Sequence, residues 1–473
     1  MERPVRAPKV PCMSSGMYAA PAPTLRPNSQ LISLIEQAAM SNKQFARAVR
    51  DTAARHGRDA KCTHTSVQRW RDGRMSRAVP PELIAETLAL RLGRIVTTAD
   101  IGMARPAGST PSPWTAEFLD DPVELVAAAR ALWASDLDQH SSTRYGIPAA
   151  ALSGPALHWL VADTATAPVG HGPGAEVTPV DLARFGTTFQ AFDLIARRTG
   201  GIAARLPAVQ FLQSSLTPLL TGRYPGTVGR SVFRSAALAH LSVGRYTHDA
   251  GLHGLARRYL LLALSMAHQG EDRVLGAHVL AALAEHAPLA GDHAGTFDLV
   301  RAALLGTAGH GRRARAALHA AEARFHAARQ DARATALSLE RSAKGLIEAD
   351  FDNDDWLDYF GEAELADITL RCLLELGELQ RARSEFETAR GSRSPDRLTD
   401  QVLALCLLAT AHFRSGEIGE ACRAVEAALD QAQGMQSAAV NVQLAQLVHY
   451  LDEHRGTGQA ASLGRRIRAS QRL

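Results

Sequence analysis

Gly377, Ala382 and Ala389 share one spacing with Gly416, Ala421 and Ala428: a small residue, an alanine five positions on, and another seven beyond that. Seven residues bring a helix back to the same face, and two antiparallel helices approach closely only where side chains are small. Asp331 with Ala336 and Ala343, Gly291 with Ala303, and Gly244 with Ala256 match the spacing in part. Successive anchors lie 47, 40, 46 and 39 residues apart. The pattern predicts at least five degenerate helical hairpins with loops of varying length over residues 231–455, stacked as a right-handed superhelix. The competing reading is an irregular helical bundle whose alanines coincide.

Composition agrees with helices throughout. Aromatic residues make up 5 % of the chain while hydrophobic residues reach 46 %, a balance set by Ala and Leu, which lose little entropy in a helix. With 473 residues the chain exceeds what one core supports, roughly 250–300 residues. An all-α protein of two or three domains is expected. Five scattered cysteines, none in a CxxC pair, point to a reducing compartment. No stretch approaches 18 uninterrupted apolar residues and the start lacks the apolar core of a signal peptide. The expectation is therefore a cytoplasmic protein without membrane contact.

Charge divides the chain. Residues 1–106 carry 17 Lys and Arg against 8 Asp and Glu, a net +9, which leaves −5 for residues 107–473. A basic end on an acidic body suits a protein that presents one end to a polyanion. Residues 1–27 are rich in Pro and Ala, with Arg3, Arg6, Lys9 and Arg26, and are read as a disordered basic arm.

Helical patterning begins at Asn28. Leu31, Ile32, Leu34 and Ile35 form one stripe, and Ser41-Asn42-Lys43-Gln44 has the form of a capping box, which starts a helix at Asn42. Phe45, Ala46 and Val49 then face inward while Lys43, Arg47 and Arg50 face out. That helix is expected to end near His56-Gly57. In Thr63-His64-Thr65-Ser66-Val67-Gln68-Arg69-Trp70-Arg71-Asp72-Gly73, Thr63 or Thr65 caps a short helix, Val67 and Trp70 are its buried pair, and Gly73 ends it. Thr65, Gln68 and Arg69 remain on the outer side. Pro80-Pro81-Glu82 opens a further helix with Leu83, Ile84, Leu88 and Leu92 in the core, and Thr97 to Gly102 forms a last turn.

Ser41 to Arg47 resembles the opening of the Cro/C1-type helix-turn-helix, and Thr65 to Trp70 with Gly73 resembles its recognition helix. This chain departs from the compact form through extra residues from Asp51 to Lys61. The later hairpins resemble tetratricopeptide repeats. With Val79 to Glu86, Asp249 to Tyr259 and Asp355 to Ala366, the whole resembles actinobacterial regulators that join such a helix-turn-helix to tetratricopeptide repeats, among them repressors of sporulation and antibiotic production. The resemblance covers about residues 28 to 450 and implies a helix-turn-helix domain over 28–104, a linker over 105–116, a helical middle region over 117–230, the repeats over 231–455 and a flexible basic tail over 456–473. It also implies a homodimer on double-stranded DNA, associated with the nucleoid.

On that basis Arg69 is the expected base contact, since a guanidinium can bind guanine O6 and N7 together. Gln68 is placed against adenine, and Thr65 and Ser66 against a phosphate or a thymine methyl. Lys43, Gln44, Arg47, Arg71, Arg74 and Arg77 complete the expected DNA-binding surface, the basic ones as phosphate contacts. In the body, Asp355, Trp356, Asp358 and Tyr359 are read either as a peptide, small-molecule or protein effector site or as an inter-repeat loop with packing aromatics. The pairs His248/His253 and His286/His293 lack ligand spacing, and no nucleotide-binding loop, GxSxG or HExxH occurs. No catalytic residue, metal or cofactor is expected. A protein-interaction adaptor that has lost DNA binding is the rival function.

Overall fold

The computed structural model describes residues 27–55, 60–74, 79, 81–92, 96, 100–103, 117–138, 147, 149–163, 165–285, 293–307, 311–348 and 360–470. Arg77, His286, Asp355, Trp356, Asp358 and Tyr359, the linker 105–116 and the arm through residue 26 lie outside them. The chain forms two compact units that divide after Arg105. Both are all-α, save for one two-stranded ribbon among the described residues.

Unit 1 holds α1 (Ser29–Gln37), α2 (Asn42–Arg55), α3 (His64–Arg71) and α4 (Pro81–Leu92). Its core gathers Leu31, Ile35, Phe45, Val49, Val67, Trp70, Ile84, Leu88 and Ile101. Asn28 closes the unit on itself: its side chain accepts the Leu31 N–H at 3.0 Å and donates to the Ile101 carbonyl at 2.8 Å. One polar residue thereby caps α1 and ties the first helix to the last turn.

Unit 2 begins with α5 (Pro122–Leu137), α6 (Ser153–Val161), α7 (Pro179–Thr199), α8 (Gly201–Phe211) and α9 (Thr217–Leu220). Within the glycine-rich segment 168–179, β1 (Gly170–His171) pairs antiparallel with β2 (Arg223–Tyr224). Backbone pairing continues from Val177 N–H to the Arg223 carbonyl at 2.9 Å, so the glycine-rich segment is fixed. Two polar anchors hold α5 in place. Asp136 accepts from Arg205 at 2.6 Å and from Tyr259 at 2.7 Å, and the Trp133 indole donates to His240 Nε2 at 3.1 Å.

Hairpins follow: α10 (Gly226–Asp249) with α11 (His253–Gln269), α12 (Arg273–Glu285) with α13 (His293–Gly306), and α14 (Arg312–Ala328) with α15 (Ala332–Glu348). Then come α16 (Glu362–Leu376) with α17 (Leu379–Ser392), α18 (Leu398–Arg414) with α19 (Ile418–Gln431), and α20 (Ala438–Glu453) with α21 (Gly458–Ser470). The predicted boundary between residues 230 and 231 falls inside α10, because the middle region packs onto the first hairpins as part of the same core. The predicted flexible tail is α21 from Gly458 to Ser470, since Ala460, Leu463 and Ile467 give it an apolar stripe that packs with Leu447 and Leu451.

The repeat has a sharper register than its spacing in sequence suggests. Gly377 and Gly416 adopt φ of 80° and 77° between paired helices, and Ala382, Ala389, Ala421 and Ala428 are buried as expected. For the earlier hairpins the anchor moves. Gly251, at φ 77°, stands five residues before buried Ala256 and twelve before buried Ala263, so it replaces Gly244. Gln330 takes the left-handed backbone at φ 61° and precedes buried Thr335 and Ser342 by five and twelve residues. Asp331 caps the next helix instead, accepting the Ala334 N–H at 2.9 Å, and Ala336 is exposed. The cause is the helix stop, which needs a left-handed residue and accepts Gln where most hairpins use Gly.

The two ends of the hairpin array meet. Gln436 N–H donates to the Thr199 carbonyl at 2.6 Å and its own carbonyl accepts the Ile202 N–H at 3.1 Å. Beside them, the Asp249 carboxylate accepts from Gly201 N–H and from the Ser437 hydroxyl, both at 2.5 Å. Thr399 adds a bond to the Arg197 carbonyl at 3.1 Å.

Candidate nucleic-acid interface

Local sequence builds the exposed face of unit 1 in two steps. Ser41 accepts the Gln44 N–H at 3.3 Å while Gln44 Oε1 accepts the Ser41 N–H at 2.8 Å, the reciprocal cap that starts α2. Thr63 and Ser66 repeat the arrangement at α3, with Ser66 N–H donating to Thr63 Oγ1 at 3.4 Å and Thr63 N–H donating to Ser66 Oγ at 3.3 Å. Both helix starts therefore satisfy backbone donors that would otherwise be orphaned. Gly73, at φ 85°, ends α3.

α3 is two-faced. Val67 is fully buried and Trp70 is 4 % exposed. Thr65, Gln68 and Arg69 lie on the exposed side. On α2, Lys43, Arg47 and Arg50 are exposed at spacings of four and three, which aligns three cations along one stripe. Arg74 is exposed just past α3 and lines a shallow cleft with Asn28, Gln30, Gly73, Gly102 and Met103.

The expected contact residues separate by what already holds them. Asn42 of α2 donates to Gln68 Oε1 at 3.0 Å and accepts from Arg71 Nη1 at 2.9 Å, and Gln68 Nε2 donates to Asp72 at 2.9 Å. Gln68 and Arg71 thus lock α3 against α2. Ser66 serves the cap, and the Thr65 hydroxyl lies 2.7 Å from that of Thr63. Gln44 gives its carbonyl oxygen to the α2 cap and keeps its amide NH2 outward. Arg47 approaches Asp51 only at 4.0 Å, with both side chains largely exposed. The side chains of Lys43, Arg69 and Arg74 form no hydrogen bond or ion pair among the described residues. Sequence reasoning missed Asn42, whose amide is the hub between the helices; its only signal was an amide at the first helical position, 26 residues from Gln68.

Several extra residues relative to a compact helix-turn-helix belong to α2, which runs through Arg55. The span Asp51–Lys61 is thus helical in its first part, through Arg55. Cys62, just past that span, is buried, and burial pushes its thiol up to about 11. It is a packing residue held as a neutral thiol.

In unit 2 burial likewise keeps two histidines uncharged. Burial holds His240 and His248 down to about 4, so both are neutral at pH 7. The His248 and His253 rings lie 4.6 Å apart, tilted by 55°, and no group of His, Cys, Asp and Glu suited to a metal occurs among the described residues. Among those residues no helix is long and apolar enough to cross a membrane.

No curated protein matches this chain significantly. Residues 31–104 match the SP15 N-terminal domain family, a span that opens on the first core leucine of α1 and ends just past Met103, within unit 1.

Proposed function

We propose that this protein is a sequence-specific DNA-binding regulator, a dimeric repressor whose unit 1 binds the operator and whose unit 2 dimerises and receives a signal. The observation that carries this is the exposed face of α2 and α3, where Lys43, Arg47 and Arg69 stand outward on helices whose other faces are buried and Arg74 is exposed just past α3. Arg69 reads a base, and its neighbours Gln68 and Arg71 hold the helix that presents it. Lys43, Arg47 and Arg74 take phosphates, which set register and affinity without reading sequence. Two-fold symmetry places half-sites about 34 Å apart, or a multiple of that.

Binding of the purified full chain to fragmented genomic DNA, followed by sequencing, tests the proposal. Enrichment of a two-fold symmetric site is expected, with affinity falling by orders of magnitude between about 50 and 200 mM salt. R69A is expected to lose roughly 5- to 150-fold on that site, the equivalent of about 1–3 kcal/mol, while keeping its thermal midpoint. An unenriched library would leave the protein as an adaptor that works through unit 2 alone.

A further inference from the structure

Charged side chains from the first helix of successive hairpins converge on one face of unit 2. Along α16, Glu364, Asp367, Arg371 and Glu375 recur at intervals of three and four residues, which sets them on one stripe. Other elements surround that stripe with charge. Asp400 and Arg397 act on Glu364, Arg393 on Asp367, and Arg324 of α14 on both Arg371 and Glu375. Glu285 of α12 acts on Glu364 and Arg371, and Arg245 of α10 on Arg397.

All four stripe residues keep partial exposure. Protein nevertheless encloses them strongly enough that burial pushes the Glu364 carboxyl up to about 7 and the Asp367 carboxyl up to about 6. Side chains that are both enclosed and reached by solvent form a partly sheltered wall. Beneath the stripe, Ala317 and Ala320 of α14 share one buried cluster with Ile368 and Cys372 of α16.

Pairing accounts for only some of this charge. Arg397 binds Asp400 at 2.6 Å and Glu364 at 3.5 Å, Arg393 pairs with Asp367, and Arg245 lies 2.7 Å from His278. Arg324 and Arg371 repel one another, and neither guanidinium forms a hydrogen bond or an ion pair among the described residues. Asp367 Oδ1 and Glu375 Oε2 are buried acceptors without a donor, and Glu364 meets Arg397 only at 3.5 Å, longer than a good hydrogen bond. Donors without acceptors and acceptors without donors on one wall are the two halves of a site for a molecule that carries both charges.

We propose that this wall binds a small amphoteric ligand, an amino acid derivative or short peptide, with its carboxylate between Arg324 and Arg371 and its ammonium facing Asp367 and Glu364. Arg371 and Glu364 are seven residues apart, roughly 10 Å along the helix. An extended peptide covers that in about three residues. The inference rests on the reading of unit 2 as the signal-receiving part and is independent of what unit 1 binds.

The test is the thermal midpoint of the full chain with trialanine, N-acetyl-trialanine, trialanine amide and free alanine, each at millimolar concentration. Trialanine is expected to raise the midpoint, both blocked forms to lose at least tenfold in apparent affinity, and R371M to abolish the response. A response to alanine equal to that of trialanine would assign the site to a single amino acid. No response to either overturns the proposal, as does a response retained by both blocked forms or by R371M. Without ligand, R371M is expected to raise the midpoint by a few degrees, because it removes a cation that faces Arg324; a fall would make Arg371 a structural partner of Glu375 and overturn its role. These readouts are separate from DNA binding, so either proposal can fail alone.

Discussion

Unit 1 and unit 2 use arginine in opposite ways. In unit 1 the guanidiniums of Arg69 and Arg74 stand in solvent with no partner among the described residues, and the carboxylate nearest Arg47 is 4.0 Å away. In unit 2 Arg205 is 12 % exposed and bound to Asp136 at 2.6 Å, and Arg393 and Arg397 are held by carboxylates of α16 and the start of α18. A solvated cation contributes little to folding and stays available to a ligand; an enclosed one must be matched or it destabilises the fold. At these positions the same residue type stands in solvent in one unit and is an interior fastening in the other, with Arg71, held by Asn42, the fastening of unit 1.

The strongest way to break this contrast is Asp136→Ala. It leaves the Arg205 guanidinium and the Tyr259 hydroxyl enclosed without an acceptor, and unit 2 is expected to lose about 3–5 kcal/mol in denaturant unfolding. A loss below about 1 kcal/mol would mean that the interior pair is as dispensable as a surface one.

Next in size is a pH effect confined to unit 2. His240 is neutral in the fold down to about pH 4, whereas an unfolded histidine takes up a proton near pH 6.5. Its contribution is therefore complete above pH 6.5 and is lost as pH falls from there towards 4. Comparing wild type with H240N at pH 7.5 and pH 5 should show the pH dependence of unfolding shrinking by about 2 kcal/mol in the variant. Equal pH dependence in both proteins would remove His240 from the interior network.

Smaller effects are expected at the surface of unit 1. Ser41→Ala removes half of a reciprocal cap and should cost about 1 kcal/mol. Asp51→Ala removes the exposed partner of Arg47 and should change stability by less than about 0.5 kcal/mol while leaving DNA affinity equal or slightly higher. A cost at Asp51 as large as that at Asp136 would erase the distinction between the two units.

What could be read from the sequence follows the same division. The Ser41 cap, the Val67 and Trp70 pair and the Gly377 and Gly416 anchors are local patterns, complete within one or two turns, and the structure reproduces each of them. Gln330 escaped because a left-handed residue other than glycine carries no mark in sequence. Asn42 escaped because its role joins two helices that only the fold brings together. The charged stripe on α16 is visible as a spacing, but its meaning depends on Arg324, which lies 47 residues before Arg371 and on another hairpin.

The hydrogen bonds between Thr199, Ile202 and Gln436 reach beyond local stability. In an open array a repeat can be gained or lost with only its neighbours affected. Here the last hairpins must arrive beside α7 and α8, so adding or deleting one hairpin would carry Ser437 away from Asp249 and open the junction. A change in the number of hairpins is therefore expected to cost this junction as well as the contacts between neighbouring hairpins.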